Sequence, residues 1–74
     1  MTLQDLAVTL SDMYNNAPQK EKLTMIHLFG IKYANVIIEN GYSRKEIIKK
    51  ANMRESYLTE LSKGMKLSNY VKIK

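Results

Sequence analysis

The chain has 74 residues, a formal net charge of +5 and no cysteine. That length holds one domain, and the lack of thiols excludes a disulfide scaffold, a thiolate metal site and a cysteine nucleophile. An apolar fraction of 45% is too high for a disordered polycation. A domain of this size buries only about 60% of its unfolded surface, so stability must come from closely packed helices or from a second copy of the chain.

The charge is unevenly placed. Residues 1–40 carry three lysines against four acidic residues, whereas residues 41–74 carry nine Lys or Arg against three Glu. The first part reads as scaffold. The second carries a positive field that attracts a polyanion, most often nucleic acid. A solvated basic surface is the ordinary alternative. The most apolar run, Met25 to Ile38, is interrupted by His27, Lys32 and Asn35 and falls short of the roughly 20 residues that a bilayer span needs. With no basic and apolar leader pattern either, the expected location is cytoplasmic.

Leu3, Leu6, Ala7, Leu10, Met13 and Tyr14 recur at helical spacing. Thr2 caps this first helix, and Asp5 sits where a carboxylate favours the helix dipole. Asn15-Asn16-Ala17-Pro18 ends it, because Pro18 disfavours helix at Ala17. A second helix is predicted from Pro18 or Gln19 to Glu39. Leu23, Ile26, Gly30, Tyr33, Ala34 and Ile37 form its stripe. Met25, Leu28, Phe29, Val36 and Ile38 widen that stripe, which marks a central helix. Gly30 costs roughly 1 kcal/mol relative to Ala inside a helix and is read as a close crossing rather than a break.

Asn40-Gly41 is a stop signal. Ser43 and Glu46 form a capping box for a third helix that stops at Asn52. Its inner face is Ile47, Ile48 and Ala51; its outer face is Arg44, Lys45, Lys49 and Lys50. A fourth helix is predicted from Arg54 to Lys63, with Leu58 and Leu61 inward, Tyr57 beside them and Gly64 as its C-terminal cap. The tail from Leu67 to Lys74 alternates weakly and reads as a short strand or an extended arm. The predicted fold is all-α, with four to five helices in a single domain over residues 1–74. Residues 1–40 are helical scaffold, 43–64 a two-helix unit and 67–74 the tail.

Two short helices joined by a turn of three or four residues make a helix-turn-helix unit. Glu46-Ile47-Ile48-Lys49-Lys50-Ala51-Asn52-Met53 supplies a first helix and turn, and Ser56-Tyr57-Leu58-Thr59-Glu60-Leu61 a second. Ile47, Ile48 and Ala51 would meet Leu58 and Leu61, Asn52 can take the positive φ that the turn needs, and Met53 would plug the gap. This segment resembles the DNA-binding helix-turn-helix family. It departs from that family at Ile48, where a small residue is usual, and at Asn52, where Gly is usual. Ile48 is expected to open the angle between the helices. Leu28-Phe29-Gly30-Ile31-Lys32-Tyr33-Ala34 and Ser56 to Leu67 further resemble strings in short bacterial helix-turn-helix-like proteins, some of them associated with mobile elements or restriction systems.

The resemblance implies sequence-specific binding of double-stranded DNA, by a transcriptional regulator or an accessory DNA-binding subunit. The helix that starts at Arg54 would enter the major groove. Arg54, Glu55, Ser56, Thr59 and Lys63 are then the candidate base contacts, with Arg54 suited to guanine O6 and N7. Arg44, Lys45, Lys49, Lys50 and Lys66 are the candidate phosphate contacts. Glu55 and Glu60 lie on the same helix and would be repelled by phosphate. A homodimer is expected, through the second helix or the tail, because one small module offers little contact. The rival reading is a protein–protein interaction module built on the same helices.

No catalytic constellation is legible. Gly30, Gly41 and Gly64 are too far apart for a phosphate loop. His27, the only histidine, lacks partners at metal-ligand spacing and reads as a helix-face or partly buried residue. The expectation is a protein that is not an enzyme and has no metal, cofactor or small-molecule ligand. Tyr14, Tyr33 and Tyr57 fall on apolar faces and read as core, which leaves Tyr42 and Tyr70 for a partner.

Overall fold

The computed structural model describes residues 1–73. Among them are four α-helices: α1 (Leu3–Asn15), α2 (Lys22–Asn40), α3 (Arg44–Lys50) and α4 (Tyr57–Leu67). A 3-10 turn, Gln19–Glu21, precedes α2, and the described residues contain no strand. The fold is all-α. No helix among them is long and apolar enough to cross a membrane.

The start of α1 is fixed more firmly than a simple cap requires. Thr2 Oγ1 accepts from the Asp5 N–H at 3.0 Å, and the Asp5 carboxylate accepts from the Thr2 N–H at 2.9 Å. Both orphan donors are thereby satisfied. Leu6, Ala7 and Leu10 form the buried face of α1. The chain then turns at Asn16 to Pro18. The predicted long second helix begins later than expected, at Lys22. Glu21 leaves helical geometry at φ −116° and ψ 10°, and the Lys22 ammonium donates to the Tyr14 carbonyl at 2.9 Å. That bond ties the start of α2 to the end of α1.

The buried face of α2 is Ile26, Phe29, Gly30, Ala34 and Ile37. Leu23, which the stripe had included, is 47% exposed, and Ile38 is 66% exposed. Phe29 takes the centre instead. Gly41 stops α2 with a φ of 66°. The N–H groups of Gly41 and Tyr42 return to the carbonyls of Ile38 and Ile37 at 3.1 and 3.0 Å, which is the paired-bond stop that a left-handed glycine permits.

Ser43 caps α3 by accepting from the Glu46 N–H at 3.3 Å. The expected reciprocal bond, from the Ser43 N–H to the Glu46 carboxylate, is not made, so this is a one-sided cap rather than a box. Ile47 and Ile48 are buried. The helix ends at Lys50, before Asn52, because Asn52 turns the backbone to a φ of 60°.

The predicted fourth helix needs correction at both ends. It starts at Tyr57 rather than Arg54. The Arg54 and Glu55 carbonyls accept from the Tyr57 and Leu58 N–H groups at 3.0 and 2.9 Å, so tight turns carry residues 54–56 into the helix. It ends at Leu67, not Lys63, and Gly64 is no cap. Gly64 is buried inside the helix where α4 crosses α2. A Cβ built on Gly64 would lie 2.5 Å from the His27 carbonyl oxygen, and one on Gly30 would lie 2.8 Å from the Met65 nitrogen. Two glycines, one from each helix, let the backbones touch. This is the most extensive helix contact in the molecule, and it confirms Gly30 as a crossing residue.

The predicted tail from Leu67 to Lys74 is also revised. Leu67 is helical, and turns continue to Val71, whose N–H reaches the Leu67 carbonyl at 3.1 Å. Val71 to Ile73 form no strand and line a shallow cleft with Ile31 and Asn35 of α2. Lys74 lies outside the described residues. The core closes around Leu6, Leu10, Ile26, Phe29, Ile37, Ile47, Ile48 and Leu61, drawn from all four helices.

The glycine crossing has a direct consequence for stability. The atoms that would meet a new Cβ at position 64 are backbone, which cannot rotate away. Gly64→Ala should therefore force α2 and α4 apart at a cost of about 1–3 kcal/mol. Urea denaturation of the two proteins measures this, and a loss within about 0.5 kcal/mol, the range of neutral surface changes, would show that the crossing is slack.

Candidate nucleic-acid interface

The two-helix unit is α3, the turn and α4. In the turn, Asn52 at positive φ donates its N–H to the Lys49 carbonyl at 3.0 Å, and Met53 donates to the Ile48 carbonyl at 3.1 Å. Met53 is half-buried and packs against the core, as its role as a plug requires. The connection is longer than the expected three or four residues because residues 54–56 are not helical.

Of the five candidate base contacts, Ser56, Thr59 and Lys63 share one face. At 100° per residue they cover the side of α4 opposite Leu61, Gly64 and Met65, and all three are exposed. Ser56 occupies the capping position but makes no capping bond, so its hydroxyl is uncommitted. Arg54 and Glu55 lie exposed in the turn before the helix, on the side where Lys45, Lys49 and Leu58 stand rather than with Thr59 and Lys63.

The two carboxylates that would repel phosphate are both engaged. Glu60 points back toward α2, where its Oε1 accepts from His27 Nε2 at 2.8 Å. Its Oε2 is 3.6 Å from Lys63 Nζ. The hydrogen bond from His27, reinforced by the charge of Lys63, holds its carboxyl below the ordinary value of 4.5 against a smaller opposing effect of burial. Glu55 Oε1 is 3.5 Å from Lys45 Nζ, and both side chains are largely exposed. A pair of that kind contributes little to stability; it sets a lysine of α3 beside the carboxylate.

The candidate phosphate contacts fall into two groups. Lys45 and Lys49 meet Arg54 and Glu55 around one cleft, with Lys50 exposed on the same helix. Lys66 is about 15 Å along α4 from Ser56 at 1.5 Å per residue. It shares a second cleft with Arg44, Ile37 and Ile38, so the fold does not bring it to Arg54. Among the described residues, Arg44, Lys49, Lys50, Arg54 and Lys66 have no ion-pair partner.

Four side chains, His27, Tyr14, Tyr57 and Tyr42, make positioning contacts that the sequence did not show. His27 had no visible partner, yet it lies one turn before Gly30, as Glu60 lies one turn before Gly64. Pairing the two glycines would have paired these two side chains. The Tyr14 and Tyr57 hydroxyls are 2.8 Å apart, and their rings are 5.4 Å apart, which fixes the first turn of α4 against α1. The bond to Tyr57, together with burial, holds the Tyr14 hydroxyl above its ordinary value of 10.0. Tyr42, expected to be free for a partner, instead donates its hydroxyl to the Met1 carbonyl at 2.8 Å. Tyr70 is 79% exposed.

The depressed Glu60 value fixes the sign of a pH effect. The ionised carboxylate supports the α2–α4 contact in full above the unfolded value. That support is lost as pH falls through the lower folded-state value. Glu60→Gln should be less stable than the parent near neutrality, with the difference closing in acid. Urea melts at about pH 7 and about pH 2.5 test it, and a difference independent of pH would refute the charged pairing.

Residues 2–74 match the family model of the HTH-like domain. No curated protein matches the chain, and no solved structure matches it. A helix-turn-helix is in general a DNA-binding unit. Because the match spans nearly the whole chain, the protein belongs to the HTH-like domain family.

Proposed function

We propose that this protein is a non-catalytic domain that binds double-stranded DNA with sequence preference, as a transcriptional regulator or as an accessory subunit of a DNA-processing system. The observation that carries this reading is the distribution of charge around α4. Glu60 is turned back onto His27 and Glu55 is matched by Lys45. Thr59 and Lys63 of α4, with Ser56 just before it, are therefore offered to a base edge with Glu60 turned aside. Hydroxyls can donate or accept there, and the Arg54 fork suits guanine. Lys49, Lys50 and Arg44 on the flank suit phosphate, which sets affinity and its salt dependence.

The reading includes a homodimer. Ile38, Leu67, Tyr70 and Val71 are large apolar side chains left exposed near the end of α2 and at or after the end of α4. They lie at the end of α4 remote from Arg54. A two-fold pair joined there would present two copies of α4 to two half-sites. The rival reading is a protein partner on the same helices.

Selection from a random duplex library at near-physiological salt should recover a motif with two related half-sites. Arg54→Ala should alter base preference at one position, at a cost of about 1–3 kcal/mol on the preferred site. Lys49→Ala should weaken all duplexes alike and lower the salt slope by about one. No enrichment together with no duplex binding would sink the DNA reading in favour of a protein partner. Sedimentation equilibrium should find a dimer that Ile38→Lys weakens; a monomer at every concentration, with a single half-site recovered, would remove the dimer alone.

A further inference from the structure

Of the asparagines in the chain, only Asn40 is followed by a glycine. That neighbour matters chemically. A backbone nitrogen attacks the preceding asparagine side chain most readily where its own residue has no Cβ to crowd the approach. Asn40 and Gly41 are both exposed. Beyond its chain neighbours, no atom lies within 4 Å of where a Cβ on Gly41 would stand. Solvent and base therefore reach the pair freely.

The fold opposes the reaction at both reacting groups. The Gly41 N–H is shared between the carbonyls of Ile37 and Ile38, the second at 3.1 Å. Its proton must leave before the nitrogen can attack, and these bonds hold it in place. The Asn40 side chain is committed as well. Its Nδ2 donates to the Val36 carbonyl at 2.7 Å, which directs the amide toward the preceding turn of α2 and away from the Gly41 nitrogen. Opening the last turn of α2 releases both groups at once, and a helix end is the part that opens most easily.

We propose that Asn40–Gly41 is a self-modification site that the end of α2 keeps shut in the folded chain. When that turn opens, base takes the Gly41 proton and the nitrogen bonds to Asn40 Cγ. The Cγ–Nδ2 bond breaks and ammonia leaves, which closes a succinimide ring. Water opens the ring at either carbonyl and yields aspartate or isoaspartate, with nothing oxidised or reduced. The product acts as a latch. A carboxylate now stands at the negative end of the helix dipole. Isoaspartate also adds a carbon to the backbone, which displaces the Gly41 and Tyr42 N–H groups from the carbonyls of Ile38 and Ile37 that they reach in the parent. Tyr42 carries the hydroxyl bonded to the Met1 carbonyl, so losing the stop also loosens that tie to the N-terminus.

The test uses the full chain at mildly alkaline pH, either folded in buffer or unfolded in guanidinium chloride. Peptide mapping by mass spectrometry follows the conversion of amide to acid at each asparagine. In the unfolded chain Asn40 should convert ahead of every other asparagine. In the folded chain its conversion should be at least about tenfold slower, since the reaction then waits on local opening. The isoaspartate form, separated by chromatography, should unfold at a lower urea concentration than the parent. Equal rates in the folded and unfolded chains would overturn the lock. An unfolded chain with no preference for Asn40 would overturn the site itself. An isoaspartate form as stable as the parent would overturn the latch.

Discussion

The placement of α4 depends on one contact between backbones, Gly64 against His27 and Gly30 against Met65. No side chain intervenes, so the depth at which α4 seats on α2 is set by the absence of two Cβ atoms. Everything polar about the interface follows from that depth. His27 and Glu60, each one turn before its glycine, are brought to 2.8 Å. Leu61 is carried fully into the core. Tyr14 and Tyr57 then pin the opposite end of the helix to α1. A chain this short has little core to spare, and these fixed points hold the exposed face of α4 in one orientation.

Much of this was legible from local signals. Thr2 with Asp5, Gly41, Ser43 and Asn52 each satisfy or redirect neighbouring backbone groups, and the structure uses each where the sequence places it. What was not legible depends on distant residues. A glycine that ends a helix and one that admits another helix are the same residue; only Gly30, 34 positions earlier, decides which role Gly64 has. The stripe on α2 assigned Leu23 to the core because spacing cannot show where a neighbouring helix stops. Phe29, which only widened that stripe, is fully buried. Glu60 looked like an obstacle to phosphate because its partner on α2 is far away in sequence. Tyr42 looked free because its acceptor is the carbonyl of Met1.

In the proposed duplex complex, attraction and reading would fall to different surfaces. Cations on α3 and at the turn supply the field, while the face of α4 carries two hydroxyls and one lysine. Glu60 is the hinge of that division: withdrawn toward His27, it strengthens the scaffold and leaves the outer face uncluttered. Lys63 is shared between the two tasks, since it stands 3.6 Å from Glu60 while most of its side chain remains in solvent. Its ammonium is therefore partly restrained before any partner arrives, which lowers the entropy lost when it is ordered.

Arg54, Glu55 and Ser56 lie in turns before α4, not within it. All three are exposed, and their backbone conformation is set by bonds from the Tyr57 and Leu58 N–H groups rather than by their own side chains. Side-chain changes there cross no packed surface and disturb no helix register. The chain thus carries an arginine, a glutamate and a serine side by side on a segment whose identity the core does not constrain. Three adjacent surface positions can therefore change their charge and hydrogen-bonding groups while the four-helix scaffold remains as it is.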